Sequence, residues 1–299
     1  MKEIIYLDGI TYRVEVLRRV NSEPGVVRLL IPAYQPNESA QAILRTCVES
    51  IKKFTSHDQY ELWIVDNNSP LRYAKWLYGL KDVNVILNRT EPRPPDERTL
   101  VKRLAFMRNQ TKWGSYANAV GIELALRCIS EDTSYVMTLH MDTMCCHPDW
   151  LDYIRSKMTE RTRVAGVCLE HHRTPEGVVH ILGCMYDYQT AKQLGANTFP
   201  DLPHIDVGDR ITIEMRKAGY EVFVCKNTYN SPEIADTLPA SSPFRVINVV
   251  RVLNDSGDVI FMHLGRGIPK AGNYYYGKTS SADKWVDFFR RYAGNSELC

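Results

Sequence analysis

Short apolar runs alternating with amphipathic helical stretches constrain this chain more than any other feature. Val26–Pro32 (V-V-R-L-L-I-P) leads through the loop Ala33–Ser39 into Ala40, Ile43, Leu44, Cys47, Val48 and Ile51, apolar at three- and four-residue steps. Asn37 or Ser39 can cap that helix. A second strand, Glu61–Val65, ends in Asp66-Asn67-Asn68-Ser69-Pro70, and a third, Val83–Leu87, ends in Asn88-Arg89. A further apolar run, Tyr135–Leu139, leads directly into His140-Met141-Asp142. Strand, loop and helix in this order predict an α/β protein with a mostly parallel central sheet and helices on both faces. Ligands of such sheets sit above the strand carboxyl ends, so Asp66 and Asp142 are expected on one rim. Ahead of these units, Ile4–Leu7 and Ile10–Val16 flank Asp8-Gly9, the signal of a two-residue hairpin, read as an edge decoration.

His140-x-Asp142 carries the chemistry. On an extended chain alternate side chains point the same way, so one imidazole and one carboxylate would share a divalent cation. The bland alternative is a turn-capping Asp142 beside a satisfied, half-buried His140. Arg89–Lys112 is rich in proline and basic residues and reads as an anion-contacting lid or a solvated surface loop. Gly114–Gly121 is expected to open a helix whose small residues let its end approach a diphosphate, or simply pack tightly.

Composition narrows the classes. The 299 residues are 44% hydrophobic, enough for a substantial core, and 37 Lys and Arg against 35 Asp and Glu leave a net charge of +2. That balance gives no global instruction to bind nucleic acid or an anionic membrane. The eight cysteines include no C-x-x-C pair, and charges interrupt the amino terminus where a secretory leader would be apolar. Reduced thiols and a cytoplasmic protein are the expectation. No 18-residue apolar run exists to span a membrane.

Downstream, Val164–Leu169 and Ile181–Tyr186 read as strands. Ile205-Asp206-Val207-Gly208-Asp209 precedes a helix over Arg210–Ala218 that Gly219 stops. Phe261–Gly267 is an apolar strand reaching His263 and then Gly265-Arg266-Gly267, and Ser280–Tyr292 is a closing amphipathic helix with Trp285, Phe288 and Phe289 inward.

Taken together, a strand ending I-P-A-Y, a strand ending V-D-N-N-S, the A-x-x-N-A-x-G-like spacing near Asn118, H-M-D in place of D-x-D, and P-D-W-L after it resemble the nucleotide-sugar glycosyltransferases of the GT-A (Rossmann-like) fold, most closely family 2. The resemblance spans roughly residues 26–225. It implies an N-terminal hairpin over 1–25, a nucleotide-sugar-binding half over 26–142, an acceptor-binding and catalytic half over 143–265 and a C-terminal loop and helix over 266–299, in one integrated domain. It implies Pro32, Ala33 and Tyr34 packing on the nucleotide base, Asp66 hydrogen-bonding base or ribose, and Asn118 and Gly121 beside the diphosphate. Met141 joins this donor set, and Arg266 contacts the diphosphate. Asp142 matches the last acid of D-x-D, His140 departs from the first, and His263 completes the metal shell. Imidazole favours manganese over magnesium.

The family's general base opens the helix before Gly219, which leaves Asp209, favoured by its distance from Gly219, and Asp206. The implied reaction is transfer from a nucleoside diphosphate sugar, inverting by single displacement with a retaining outcome open on the same scaffold, and with uridine diphosphate the default. The acceptor is open between a glycan, a lipid-linked saccharide, a small molecule and a hydroxylated base in DNA. Competing readings are a non-catalytic nucleotide-sugar-binding protein, motivated by His140, and a zinc protein using His140, Asp142, Cys145, Cys146, His147 or His171-His172, which lack paired zinc spacing. A sugar-1-phosphate nucleotidyltransferase would open on a G-x-G-T-R-like loop, where this chain has I-P-A-Y-Q-P-N-E.

Overall fold

The computed structural model describes residues 1–94, 110–169, 175–228, 233–265, 273–274, 277–278 and 281–295. Its main sheet has nine strands in the order β1-β2-β5-β4-β3-β6-β9-β8-β10. These are β1 (Lys2–Leu7), β2 (Ile10–Leu17), β3 (Val27–Ala33), β4 (Tyr60–Asn67), β5 (Asn84–Asn88), β6 (Tyr135–Leu139), β8 (Thr162–Cys168), β9 (Val179–Asp187) and β10 (Glu221–Val224). Only β2 and β9 run against the other strands. The helices are α1 (Glu38–Phe54), α2 (Leu71–Ala74), α3 (Gln110–Leu126), α4 (Trp150–Ser156), α5 (Tyr188–Gln193), α6 (Asp209–Lys217), α7 (Ile234–Thr237) and α8 (Ala282–Asn295).

The central strands are apolar on both faces because both faces are covered. Leu29, Ile31, Leu62 and Ile64 enter one core with α1 and α8, while Leu30, Trp63 and Val65 enter the other with α3, α5 and α6. Of the two caps considered for α1, Asn37 holds the position, its side chain accepting the Ala40 N–H at 2.9 Å. Asp8 and Gly9 both take positive φ, 46° and 71°, in a two-residue turn. The hairpin they close is part of the main sheet, since β2 pairs with β5.

The chain runs β3, β4, β5 to one side and then places β6 on the other side of β3. The crevice between the carboxyl ends of β3 and β6 is therefore the topological switch point of the sheet. A second, four-stranded antiparallel sheet, β11-β12-β13-β7, meets the first here. It comprises β7 (Thr143–Cys145), β11 (Lys226–Asn227), β12 (Val250–Leu253) and β13 (Val259–His263). Among the described residues no helix is long and apolar enough to cross a membrane.

Candidate metal centre

His140, Met141 and Asp142 occupy the link between the two sheets. β6 stops at Leu139, and the chain turns with Thr143 N–H donating to His140 O at 3.2 Å before β7 begins. The expectation that strand alternation aligns His140 with Asp142 is thus corrected: a turn, not an extended strand, brings them round. His263 is delivered by register. It pairs with Thr143 across β13 and β7, and Leu264 N–H donates to Asp142 O at 3.0 Å.

The three side chains converge. His263 Nε2 lies 3.0 Å from Asp142 Oδ1 and 3.1 Å from His140 Nδ1. One ligand atom from each of His140, Asp142 and His263 lies within 4.8 Å of the others. Two imidazoles and a carboxylate suit manganese or zinc better than an all-oxygen donor set would. Burial would raise the Asp142 carboxyl, but the charge and hydrogen bond of His263, helped by His140, hold it below the usual range. Gly265 N–H donates to His263 Nδ1 at 3.1 Å, so the neutral ring carries its proton on Nε2, where it faces Asp142 and His140. A cation would take the place of that proton, the ring proton moving to Nδ1 and the Gly265 amide letting go. The residues present fit a divalent ion with this one adjustment.

His180 on β9 extends the cluster. Its ring meets His140 edge-on with centroids 5.5 Å apart, and its Nε2 lies 3.9 Å from Asp206 Oδ2. Nothing in V-V-H-I-L sets this residue apart from a core histidine; only the pairing of β9 with β6 brings it to the rim. Asp206 in turn accepts Ser115 Oγ–H at 2.7 Å on Oδ1. Asp209 opens α6 and is fully buried, with Oδ2 accepting the Asp206 N–H at 2.9 Å.

The residues that the resemblance implies on the nucleotide lie at the carboxyl ends of β3 and β4. Tyr34 follows β3, is 51% exposed, and its N–H contacts Met141 Sδ at 3.5 Å. Asp66 is wholly buried: Oδ1 accepts Gln35 Nε2–H at 3.3 Å and Oδ2 accepts Ser69 N–H at 3.2 Å. Burial pushes its carboxyl above the usual range against those bonds. Gln35 is held from its other end by Trp76 Nε1–H at 2.7 Å.

Gly114–Gly121 does not open a helix, because α3 already begins at Gln110. A Cβ on Gly121 would stand 2.8 Å from Pro32 Cβ and 3.1 Å from Asn67 Nδ2. Gly121 and Pro32 are therefore a contact between α3 and β3, and Asn67 Nδ2–H donates to Ala117 O at 2.7 Å across the same seam. At Gly121 the structure thus shows the tight packing that was one of the two readings of Gly114–Gly121, and Asn118 is half-buried within the helix. Arg266, most of the basic Arg89–Lys112 stretch and His171-His172 lie outside the described residues. The seven described cysteines are buried thiols outside any disulfide, and none joins the metal-competent cluster.

No family model matches the chain, and no curated protein sequence matches it. Among solved structures, it is similar to the mannosyltransferase PcManGT from Pyrobaculum calidifontis in complex with GDP-Man and Mn2+, at 14% identity and a TM-score of 0.44 over 66% of this chain and 54% of that one. It is also similar to S. aureus TarS 1-349, at 12% identity and a TM-score of 0.39 over 64% of this chain and 55% of that one. The chain thus spans about half the length of each.

Proposed function

We propose that the chain is a metal-dependent glycosyltransferase that moves a sugar from a nucleoside diphosphate sugar to an acceptor hydroxyl. The observation that carries this reading is the convergence of His140, Asp142 and His263 at the switch point of the main sheet. The sequence resemblance supplies the reaction class, and uridine diphosphate is the default nucleotide on that ground alone.

A divalent ion, manganese foremost, would supply positive charge to the leaving diphosphate from a seat on Asp142, His263 and His140. Tyr34 offers an exposed ring beside that seat, while buried Asp66 and Gln35 fix the loop from which Tyr34 projects. Asp206 is the proposed general base, with Asp209 as the group that orients it. The burial of Asp209 and its bond to the Asp206 amide favour this order over the one that spacing suggests. In an inverting displacement the acceptor oxygen forms the new bond to the anomeric carbon as its proton passes to Asp206. The bond from that carbon to the diphosphate oxygen breaks, and its electron pair stays with the diphosphate.

Thermal shifts with UDP, GDP, CDP and dTDP, each with and without manganese, test the reading. One nucleotide is expected to raise stability only with manganese, by roughly 2.7 kcal/mol at a hundredfold excess over its Kd. Asp142→Ala should abolish that shift, whereas Asp206→Asn should keep it and lose turnover. Stability unmoved by every nucleotide, with and without the ion, would overturn the proposal.

A further inference from the structure

A cavity lies among the hairpin turn, α3, α6 and the segment from Asn197 to Asp201. It measures about 360 Å³, and Asp8, Tyr116, Asn197, Phe199, Asp201 and Arg210 contribute to its lining. That volume is at the lower end of the ~300–1,000 Å³ usual for small-molecule sites.

Hydrogen bonds and ring packing hold several of its lining residues in place. Tyr116 Oη–H donates to Asp8 Oδ2 at 2.9 Å, tying α3 to the hairpin turn, and the Tyr116 and Phe199 rings lie 5.6 Å apart at 35°. Behind Phe199, buried Glu123 accepts both Thr198 N–H and Thr198 Oγ1–H on Oε1, at 2.8 and 2.9 Å. Gly208 N–H donates to Thr198 O at 3.0 Å, and Arg210 Nε–H to Phe199 O at 3.3 Å.

The chemistry of the lining selects a ligand class. Aromatic walls accept the C–H face of a saturated ring, and the carboxylates, amide and guanidinium around them match hydroxyls that both donate and accept. Among the described lining residues Asp8 and Asp201 outnumber Arg210, which already lies 3.9 Å from Asp201. A phosphate-bearing polyanion would meet net negative charge there.

The cavity also shares its wall with Asp206. Ser115 donates to Asp206 while its neighbour Tyr116 lines the cavity, and Asp209 holds the Asp206 amide while its neighbour Arg210 lines the cavity. We infer that this cavity is a saccharide subsite holding a neutral glycan acceptor, a role that rests on the glycosyltransferase reading.

The test is saturation-transfer NMR on the intact chain. The probes are the methyl glycosides of glucose, galactose, mannose and N-acetylglucosamine and their disaccharides, with a short DNA duplex as a further arm. At least one saccharide should receive saturation through its ring C–H protons. Phe199→Ala and the exposed-site variant Asp201→Asn should each weaken it about fivefold, with circular dichroism and the manganese–nucleotide shift unchanged. No transfer to any saccharide, transfer as strong in both variants as in the wild type, or binding of the duplex instead would each overturn the subsite, even where the nucleotide shift keeps the donor reading alive. Saccharide binding lost in the variants of a protein that no nucleotide stabilises would keep the sugar site and remove its acceptor role.

Discussion

At His263 a single imidazole is asked for by the Asp142 carboxylate, by the His140 ring and by the Gly265 amide, and its protonation decides which bond survives. Loading manganese should therefore speed hydrogen exchange at Gly265 while His263→Ala lowers manganese affinity by about 100-fold. His140→Asp should shift preference from manganese toward magnesium, read as the ratio of the two dissociation constants by calorimetry. An unchanged ratio would place His140 outside the shell. A second residue, Glu123, makes a pH-dependent statement. Burial pushes its carboxyl above the usual range, outweighing the Thr198 hydrogen bonds and Arg127. Its raised folded value means that its contribution to stability is full below the unfolded value of about 4.3 and is lost as pH rises through the folded value. Glu123→Gln keeps an oxygen for both Thr198 bonds without the charge. It should match the wild type below about pH 4 and exceed it in Tm as pH rises beyond that, whereas Glu123→Ala strands the buried Thr198 N–H and leaves the hydroxyl only its longer bond to Ala119 O, at a cost of about 1–3 kcal/mol. Of these residues, H-x-D and the late histidine were legible as chemistry in the sequence. His180 was not, because an imidazole inside an apolar strand carries no local mark of what the neighbouring strand brings beside it.

Among the elements, α3 shows best where reading by pattern falls short. Gly114 looks like a helix boundary, yet the helix runs through it from Gln110 to Leu126, because packing against β3 and β4 outweighs the propensity of one glycine. The two glycines of this helix should respond oppositely to alanine. At Gly114 an added Cβ meets nothing within 4 Å, so Gly114→Ala should stabilise by about 0.5–1 kcal/mol. At Gly121 it meets Pro32 Cβ at 2.8 Å, so Gly121→Ala must push the helix off β3 and should cost about 1–3 kcal/mol. Urea unfolding of both variants checks the pair, and a neutral Gly121→Ala would show that the seam can give. Where the pattern was strong, as in β3, α1, β4, α6 and α8, sequence and structure agree to within a few residues. β7 and β11, three and two residues long, have no period to read and exist only through their partners.

Across the whole molecule, the candidate metal centre depends on two sheets holding still relative to one another, since His140 leaves one and Asp142 enters the other. The register of β13 on β7 is one restraint. The other comes from behind: Cys145 N–H donates to Ser50 Oγ of α1 at 3.0 Å, and Cys47 Sγ–H of the same helix points to His140 O at 3.8 Å. α1 is in turn covered by α8, whose Trp285 is fully buried and whose Tyr292 ring lies tilted at 32°, 5.8 Å from that of Phe54, and donates to Cys146 O at 2.7 Å. The closing helix thus braces the site through α1 without touching it. Trp285→Ala should cost about 3–5 kcal/mol in global stability. If the brace matters, the same variant, measured well below its lowered Tm, also loses several-fold in manganese affinity and exchanges the Cys145 amide faster, although Trp285 is no part of the metal cluster. Retained affinity in a destabilised variant would mean that the β7–β13 register alone sets the distance between His263 and Asp142, and that α8 only seals the core.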